Sequence, residues 1–260
     1  MRYETLSDTS FSKENLDIYL KELGKEFRKL NGTKIPAEII LVGGASIVAN
    51  YDFREMTYDI DALYMTSSAM KDAINNVGDR HKLPPGWLNM DFKSTSSYTP
   101  KLREISNYYK TFSNILTVRT VSAEYLIAMK AMSGRQYKND LSDIVGILWE
   151  HQKHGKSITR ESIDNAILML YGDAVPIPDT SKKLLDDVFA KGDFEKIYKE
   201  VRQEGIKSKN TLLDFNKAHP NELKSENINV ILDEAKRLKQ EKENKSKAKQ
   251  AEDKFGHIEK

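Results

Sequence analysis

The first hydrophobic positions of the chain recur at the spacing of an amphipathic helix. Between residues 12 and 31 the apolar side chains fall three or four positions apart, which places them on one face of a helix. Asn31 and Gly32 then supply a helix stop. The next apolar run, residues 38–42 (EIILV), is short and rich in isoleucine and valine, so it predicts a buried strand.

The alternation of helix and strand continues to residue 121. The predicted elements are, in order, a short helix at 45–51, a strand at 58–65, a helix capped by Ser67 or Ser68, and strands at 87–92 and 114–121. Such alternation is typical of a sheet whose hydrophobic faces are covered by helices. We therefore predict an α+β fold with a small mixed β-sheet, flanked by helices and followed by a helical C-terminal region.

From residue 122 onward the apolar spacing is helical. The predicted helices lie at 122–135 and 139–151, after a cap at Thr159, and in two shorter stretches that end at Gly205. Residues 236–250 are almost all charged or polar, which is typical of a solvated helix that frays into a disordered tail. The predicted units are a sheet domain at 1–121, a helical domain at 122–205, and a charged helical extension or disordered tail at 206–260.

The composition of the chain excludes several classes of protein and site. The chain has 41 basic and 39 acidic residues and a net charge of +2, which argues against a general polyanion binder. It contains no cysteine, which excludes a disulfide, a thiolate zinc site and a cysteine nucleophile. No apolar run approaches the ~20 residues of a membrane span, and the first residues lack the apolar core of a signal peptide. We therefore expect a cytoplasmic protein without membrane contact.

Two glycines and two aspartates supply the first candidate chemistry. Gly43 and Gly44 permit close approach of a ligand to the backbone, and the following helix start can bind phosphate through its free N–H groups. Asp59 and Asp61 lie two positions apart on a predicted strand, so both carboxylates point to one face. Such a pair favours a cation between its members, and Mg²⁺ prefers oxygen ligands. An ordinary turn and a solvent-facing strand edge are the alternatives.

The order of these residues resembles the signature of the polymerase-beta-type nucleotidyltransferase superfamily, which reads hydrophobic–Gly–Gly/Ser, short helix, Asp–hydrophobic–Asp. The matching residues are Leu41, Val42, Gly43, Gly44, Ala45 and Ser46, then Asp59, Ile60 and Asp61. The family places a third carboxylate on a neighbouring strand, and Asp91 matches it best, although Asn89 shares the same predicted strand face.

This resemblance implies catalytic and metal-binding roles for Asp59, Asp61 and Asp91. The cofactor would be two Mg²⁺ ions, with Mn²⁺ as an alternative, acting on both oxygens of an in-line displacement. Nucleotide contacts are implied for Gly43, Gly44 and Ser46.

The helical half resembles the abortive-infection E-type toxin nucleotidyltransferases and uncharacterised bacterial relatives. The match covers residues 121–130 (VSAEYLIAMK) and then Arg135, Lys138, Asp140 and Asp143. The resemblance implies that Lys130 contacts the nucleotide phosphates and that Arg135, Lys138 and Asp140 complete the nucleotide site. The alternatives are a lysine that extends from a half-buried face, two exposed turn charges, and a helix N-cap at Asp140.

Over residues 38–150, the two resemblances imply a metal-dependent enzyme that moves a nucleoside monophosphate from a nucleoside triphosphate to an acceptor and releases pyrophosphate. The toxin branch implies an acceptor at the 3′ end of a transfer RNA or on a protein, and an antitoxin partner. Two other interpretations stay open. A small-molecule nucleotidyltransferase of the antibiotic-adenylating kind would need an acidic pocket, and a non-catalytic nucleotide- or RNA-binding module is favoured if Asp91 faces away from Asp59 and Asp61.

Overall fold

A mixed five-stranded sheet lies at the centre of the structure, a computed structural model that describes residues 9–173, 175–224, 227–238 and 241. Its strands are β1 (Ala37–Leu41), β2 (Ile60–Tyr64), β3 (Leu88–Asn89), β4 (Ser106–Phe112) and β5 (Leu116–Val121). Their order across the sheet is β3-β2-β1-β5-β4. The pairs β1–β2 and β4–β5 are antiparallel, whereas β1–β5 and β2–β3 are parallel. The predicted mixed sheet in an α+β fold is confirmed.

Side chains cap the starts of several helices. They are α1 (Lys13–Asn31), α2 (Gly43–Asn50), α3 (Ser68–His81), α4 (Ala123–Ser133), α5 (Asp140–Lys153), α6 (Arg160–Tyr171), α7 (Asp179–Lys191) and α8 (Phe194–Ala218), and residues 228–238 are also helical. The hydroxyls of Ser12, Ser67 and Thr159 accept N–H bonds from the first turns of α1, α3 and α6, which satisfies donors that a helix start leaves free. No helix in the described ranges has the length and apolar character of a transmembrane span.

Both faces of the sheet are buried under helices. On one face, Ile39 and Leu41 of β1 pack with the buried side chains of α1 and α3. On the other face, Ile40 and Val42 pack with side chains of α4 to α8. Because successive strand residues point to opposite faces, β1 contributes to both cores, which explains its continuous apolar sequence.

Two strand predictions differ from the structure. The strand predicted at 87–92 ends at Asn89, and a 3-10 helix (Asp91–Ser94) follows, because the Asn89 side chain accepts the Asp91 N–H at 2.8 Å and turns the chain. Strand β4 was not predicted. A register irregularity between Tyr108 and Lys110 breaks the alternation of polar and apolar residues that would have indicated it.

Helix α8 continues through Gly205, so the predicted helix end there is wrong. Glycine inside a helix costs about 1 kcal/mol relative to alanine, a cost that the packing of α8 outweighs. A Cβ at Gly205 would lie in ordinary van der Waals contact, 3.6 Å from the carbonyl oxygen of Lys138. The predicted limit between residues 205 and 206 therefore falls inside α8. The first two predicted units share one hydrophobic cluster, and residues 239, 240 and 242–250 of the predicted tail lie outside the described ranges.

Candidate functional site

The glycine pair lies at the junction of β1 and α2. Gly43, the first residue of α2, has a φ of +54°, a left-handed conformation that favours glycine. Gly44 is required for space, because a Cβ there would lie 2.5 Å from Oγ1 of Thr57 and 2.8 Å from Nη2 of Arg54. The first turn of α2 leaves backbone N–H groups without intrahelical acceptors, as an anion site at a helix start requires.

Asp61 lies directly beside this glycine turn. A Cβ at Gly43 would be 3.5 Å from Oδ2 of Asp61, so this carboxylate and the glycine turn are in close proximity. Asp59 precedes β2, and its carboxylate accepts a hydrogen bond of 3.4 Å from the Thr57 hydroxyl. Burial, and then the negative charge of Asp59, raise the pKa of Asp61 to about 6. The two aspartates therefore form an acidic pair that favours a proton or another cation.

Cationic side chains from α4 and from the loop after it act on this acidic pair. The charges of Lys138, Lys130 and Arg135 each lower the pKa of Asp61, without cancelling the rise. Lys138 is an exposed residue, yet loss of solvation around its ammonium group and repulsion from Arg135 lower its pKa. Because Lys138 is exposed and its charge acts on both Asp59 and Asp61, it is accessible to an anionic ligand, and we call the region between its ammonium group and the acidic pair the cleft.

A buried group of charged residues, which we call the ionic cluster, lies behind the cleft. It consists of Arg54, Lys130, Arg135, Asp140 and Asp143. The Lys130 ammonium lies 2.8 Å from carboxylate oxygens of both aspartates. Nε of Arg135 is 2.7 Å from Oδ2 of Asp140, and Nη1 of Arg54 is 2.6 Å from Oδ2 of Asp143. Each buried carboxylate thus has two cationic partners, and charges of opposite sign balance locally.

The pKa shifts in the ionic cluster agree with this balance. Burial alone would raise the pKa of Asp140, but Lys130 and Arg135 outweigh it and hold the pKa well below its usual range. Burial alone would lower the pKa of Lys130, but Asp140 and Asp143 outweigh it and raise the pKa. Both groups therefore carry their full charges at neutral pH.

The ionic cluster changes the interpretation of the residues predicted around Lys130. Lys130 does not extend to solvent, since only 8% of it is exposed and its ammonium points at two carboxylates. Asp140 is not the N-cap of α5, because Asn139 holds that position. Phosphate contact by Lys130 would require its ammonium to be shared with these carboxylates, so that role stays a prediction.

The Ser46 side chain makes a structural contact, and the nucleotide contact implied for this residue stays a prediction. Ser46 is fully buried, and its hydroxyl accepts a hydrogen bond from the backbone N–H of Val121 at 3.1 Å. This bond attaches α2 to the end of β5. Because the hydroxyl has no accessible surface, it does not face a ligand in this conformation.

Asp91 does not lie where the third carboxylate was predicted. The residue of β3 that pairs with Asp61 is Asn89, whereas Asp91 lies beyond the strand end in the 3-10 helix and is exposed. Burial, and then the charge of Asp91, raise the pKa of Tyr64. The Tyr64 ring packs on the face of the sheet that is covered by α1 and α3. Over the described ranges, no group of three or more acidic or histidine side chains is placed to hold a metal ion.

Arg54 is a residue of this region that the sequence did not indicate. It connects the glycine turn to the ionic cluster, and its loop is attached to the helical half of the molecule. Glu150 accepts the N–H groups of Asp52 and Phe53, and the Tyr198 hydroxyl donates to the Phe53 carbonyl at 2.9 Å. A single arginine in a loop belongs to no periodic pattern, so only the fold identifies its role.

A divalent cation fits the donor set of Asp59 and Asp61. Their mutual repulsion and the burial of Asp61 both raise the pKa of Asp61, and a bound cation relieves both. Magnesium is commonly held by one or two carboxylates together with substrate phosphates. Asp59 and Asp61 are therefore the residues that would hold one such ion, and the second ion expected at Asp91 stays a prediction.

Comparison with known proteins gives one family. The sequence profile of the family described as "Nucleotidyltransferase of unknown function (DUF6036)" matches residues 19–149, half of the chain. This range contains the glycine turn, the acidic pair, Lys138 and the whole ionic cluster. No protein of curated function and no solved structure gives a significant match.

Proposed function

The chain belongs to this nucleotidyltransferase family of unknown function, and from that premise we propose that it is a metal-dependent enzyme that transfers a nucleoside monophosphate from a nucleoside triphosphate to an acceptor. The observation that carries the proposal is the placement of Asp61. Its partly buried carboxylate lies beside Asp59 and the Gly43 turn, and cationic side chains approach it from the loop after α4.

Different residues of the cleft bind the triphosphate and the metal ion in the proposed reaction. The free N–H groups at the start of α2 and the ammonium of Lys138 bind the triphosphate, because both present positive charge to the same cleft. Asp59 and Asp61 would hold Mg²⁺, which when bound would neutralise the phosphate charge that opposes attack. The acceptor oxygen forms a bond to the α-phosphorus as the bond to the bridging oxygen breaks. Pyrophosphate leaves, and the hydroxyl proton passes to solvent.

The electrostatics of the cleft do not favour a small cationic acceptor. An acceptor such as an aminoglycoside would need an excess of acidic groups, but the four carboxylates of the acidic pair and the ionic cluster are matched by four cations, and one of these, Lys138, is exposed beside the acidic pair. We therefore propose RNA as the acceptor, with the 3′ end of a transfer RNA as the first choice. A protein acceptor, and a toxin role with an antitoxin partner, are the alternatives.

A second candidate function is a nucleotide- or RNA-binding module without catalysis. It is favoured by one observation, the position of Asp91 outside the site of Asp59 and Asp61. Such a module would bind triphosphate through the same cleft but would not break the bond to the α-phosphorus.

Transfer of labelled phosphate tests the proposed activity. The full chain is incubated with Mg²⁺, total cellular RNA and protein, and each of the four nucleoside triphosphates labelled at the α-phosphate. We expect label in RNA with wild type. Asp61→Asn should reduce transfer by at least about 1000-fold, because it removes a ligand and a charge that stabilise the transition state. Asp52→Asn, on a side chain that is 87% exposed and outside the cleft, should transfer normally.

The outcomes separate the candidate functions. Transfer that survives Asp61→Asn would overturn the role of the acidic pair. Label in protein would replace RNA as the acceptor. Binding of a triphosphate without transfer to either acceptor would favour the non-catalytic module.

A further inference from the structure

The loop that carries Arg135 and Lys138 packs against the C-terminal part of the chain. Its central residue, Tyr137, contacts a hydrophobic cluster outside the two main cores. The buried members of this cluster are Leu212, Leu223, Ile228 and Leu232, with Phe215 and Ile231 at its edge. Leu212 and Phe215 belong to α8. The other members, Leu223, Ile228, Ile231 and Leu232, belong to the segment that follows α8.

Polar contacts fix the neighbours of Tyr137 in the same way. The ammonium of Lys236 donates to Oε1 of Gln136 at 2.9 Å and lies 3.6 Å from a carboxylate oxygen of Glu204. The carbonyl of Lys138 lies where a Cβ at Gly205 would be 3.6 Å away. Gln136 and Tyr137 are therefore held by α8 and by the helical residues 228–238, and the Lys138 carbonyl lies beside Gly205 of α8.

The opposite side of this loop faces the cleft. Arg135 is paired with Asp140, and the charges of Lys138, Asp59 and Asp61 affect one another. The loop lies between α4 and α5 and has no regular secondary structure of its own. Contacts on its two sides, together with one backbone hydrogen bond from the Lys138 N–H to the Arg135 carbonyl at 3.4 Å, therefore set the position of Lys138.

We propose that Tyr137 is a positioning residue, and that residues 219–224 and 227–238, which we call the C-terminal clamp, fix Lys138 opposite the acidic pair. Nucleotide affinity would then depend on a segment outside residues 19–149, the range that matches the family. The inference rests on the proposed function, because it takes Lys138 as a phosphate ligand. The contacts between the clamp and Tyr137 do not depend on that function.

Two substitutions in one helix test the clamp in the full-length protein. Leu232→Glu places a charge at a position that is 1% exposed, whereas Val230→Glu makes the same chemical change at a position that is 68% exposed. We expect Leu232→Glu to make the chain cleavable by trypsin after Arg135 or Lys138, with the first cuts located by mass spectrometry. Val230→Glu should leave the cleavage pattern of wild type.

Nucleotide binding supplies the functional measurement. Non-hydrolysable triphosphates of each base are titrated with Mg²⁺ into the same proteins. A ligand group displaced by about 1 Å can cost on the order of 100-fold, so we expect Leu232→Glu to weaken binding by about 10- to 100-fold. The dissociation constant of Val230→Glu should stay within about twofold of wild type.

Substitutions at Tyr137 keep the inference testable if Leu232→Glu misfolds. Tyr137→Ala should reproduce the loss of affinity and the new trypsin cuts, whereas Tyr137→Phe retains the ring and should behave as wild type. The inference is overturned if Tyr137→Ala leaves both cleavage and affinity unchanged. If wild type binds no triphosphate, the proposed function fails, and cleavage alone then decides whether the clamp holds the loop.

Discussion

The acidic pair and the ionic cluster both bring two aspartates together, but with opposite electrostatic results. In the acidic pair, burial and Asp59 raise the pKa of Asp61 to about 6. In the ionic cluster, Lys130 and Arg135 hold the pKa of the more deeply buried Asp140 well below its usual range. The difference lies in the partners. Asp140 and Asp143 contact cations directly, whereas Asp59 and Asp61 form no ion pair with any residue in the described ranges.

This difference separates a ligand site from a structural network. Carboxylates with a full set of cationic partners stabilise the fold only while the network is intact. A carboxylate pair without such partners costs free energy unless a ligand compensates it. The acidic pair is therefore where a metal and a triphosphate are expected to bind. The ionic cluster instead stabilises the fold next to it.

The largest expected effect comes from breaking the balanced cluster. Lys130→Met leaves Asp140 and Asp143 with one cationic partner each, and breaking a buried ion pair typically costs about 3–5 kcal/mol. Guanidinium unfolding of the variant should show a loss of stability in that range. Lys138→Met, which removes an exposed lysine eight positions along the chain, should change stability by less than about 1 kcal/mol.

Equal unfolding free energies for these two variants would contradict the comparison. They would show that Arg54 and Arg135 alone neutralise the buried carboxylates. Lys130 would then be free for the phosphate contact that the sequence resemblance implies.

Removing a charge from the acidic pair should change stability by a smaller amount and in the opposite direction. The pKa of Asp61 is raised from its ordinary value of 3.8 to about 6, so the folded state binds the proton more tightly than the unfolded state. Stability therefore falls as the pH rises between these two values, and the full penalty is present above pH 6. Asp61→Asn should remove the penalty and stabilise the metal-free protein at pH 7–8 by an amount on the order of 1–3 kcal/mol.

Unfolding curves at pH 7.5 and at pH 3.5 measure this effect, because the stabilisation by Asp61→Asn should largely vanish at the lower pH. Mg²⁺ provides the control. It should raise the melting temperature of wild type and have no such effect on Asp61→Asn. A destabilised Asp61→Asn at neutral pH would show that the aspartate already has a cationic partner.

The sequence predicted the sheet side of the site better than the helical side. Gly43, Gly44, Asp59 and Asp61 follow one another along a strand–helix–strand unit, so local periodicity was enough to bring Asp61 to the glycine turn. The ionic cluster depends on contacts across the fold. Arg54 reaches Asp143 over 89 positions of sequence, and no helix or strand period records such a pair.

The same limit explains the errors at the edges of the sheet. Tyr108 and Lys110 lie where β4 departs from regular pairing, and Asn89 ends β3 by accepting a backbone hydrogen bond. Both features arise from single side chains or local irregularities. Periodicity averages over several residues, so it does not resolve them.

The smallest effect is expected at Asp91, the residue that sequence similarity assigned to the acidic pair. Its side chain is exposed and lies beyond the end of β3, so Asp91→Asn should change stability by less than about 0.5 kcal/mol. Transfer of label should fall by less than about threefold, since a group that does not stabilise the transition state contributes little to its rate. A loss of more than about 100-fold with unchanged stability would instead show that the 3-10 helix moves when nucleotide binds and brings Asp91 to Asp59 and Asp61. Activity and unfolding of this one variant therefore decide whether the acidic pair acts alone.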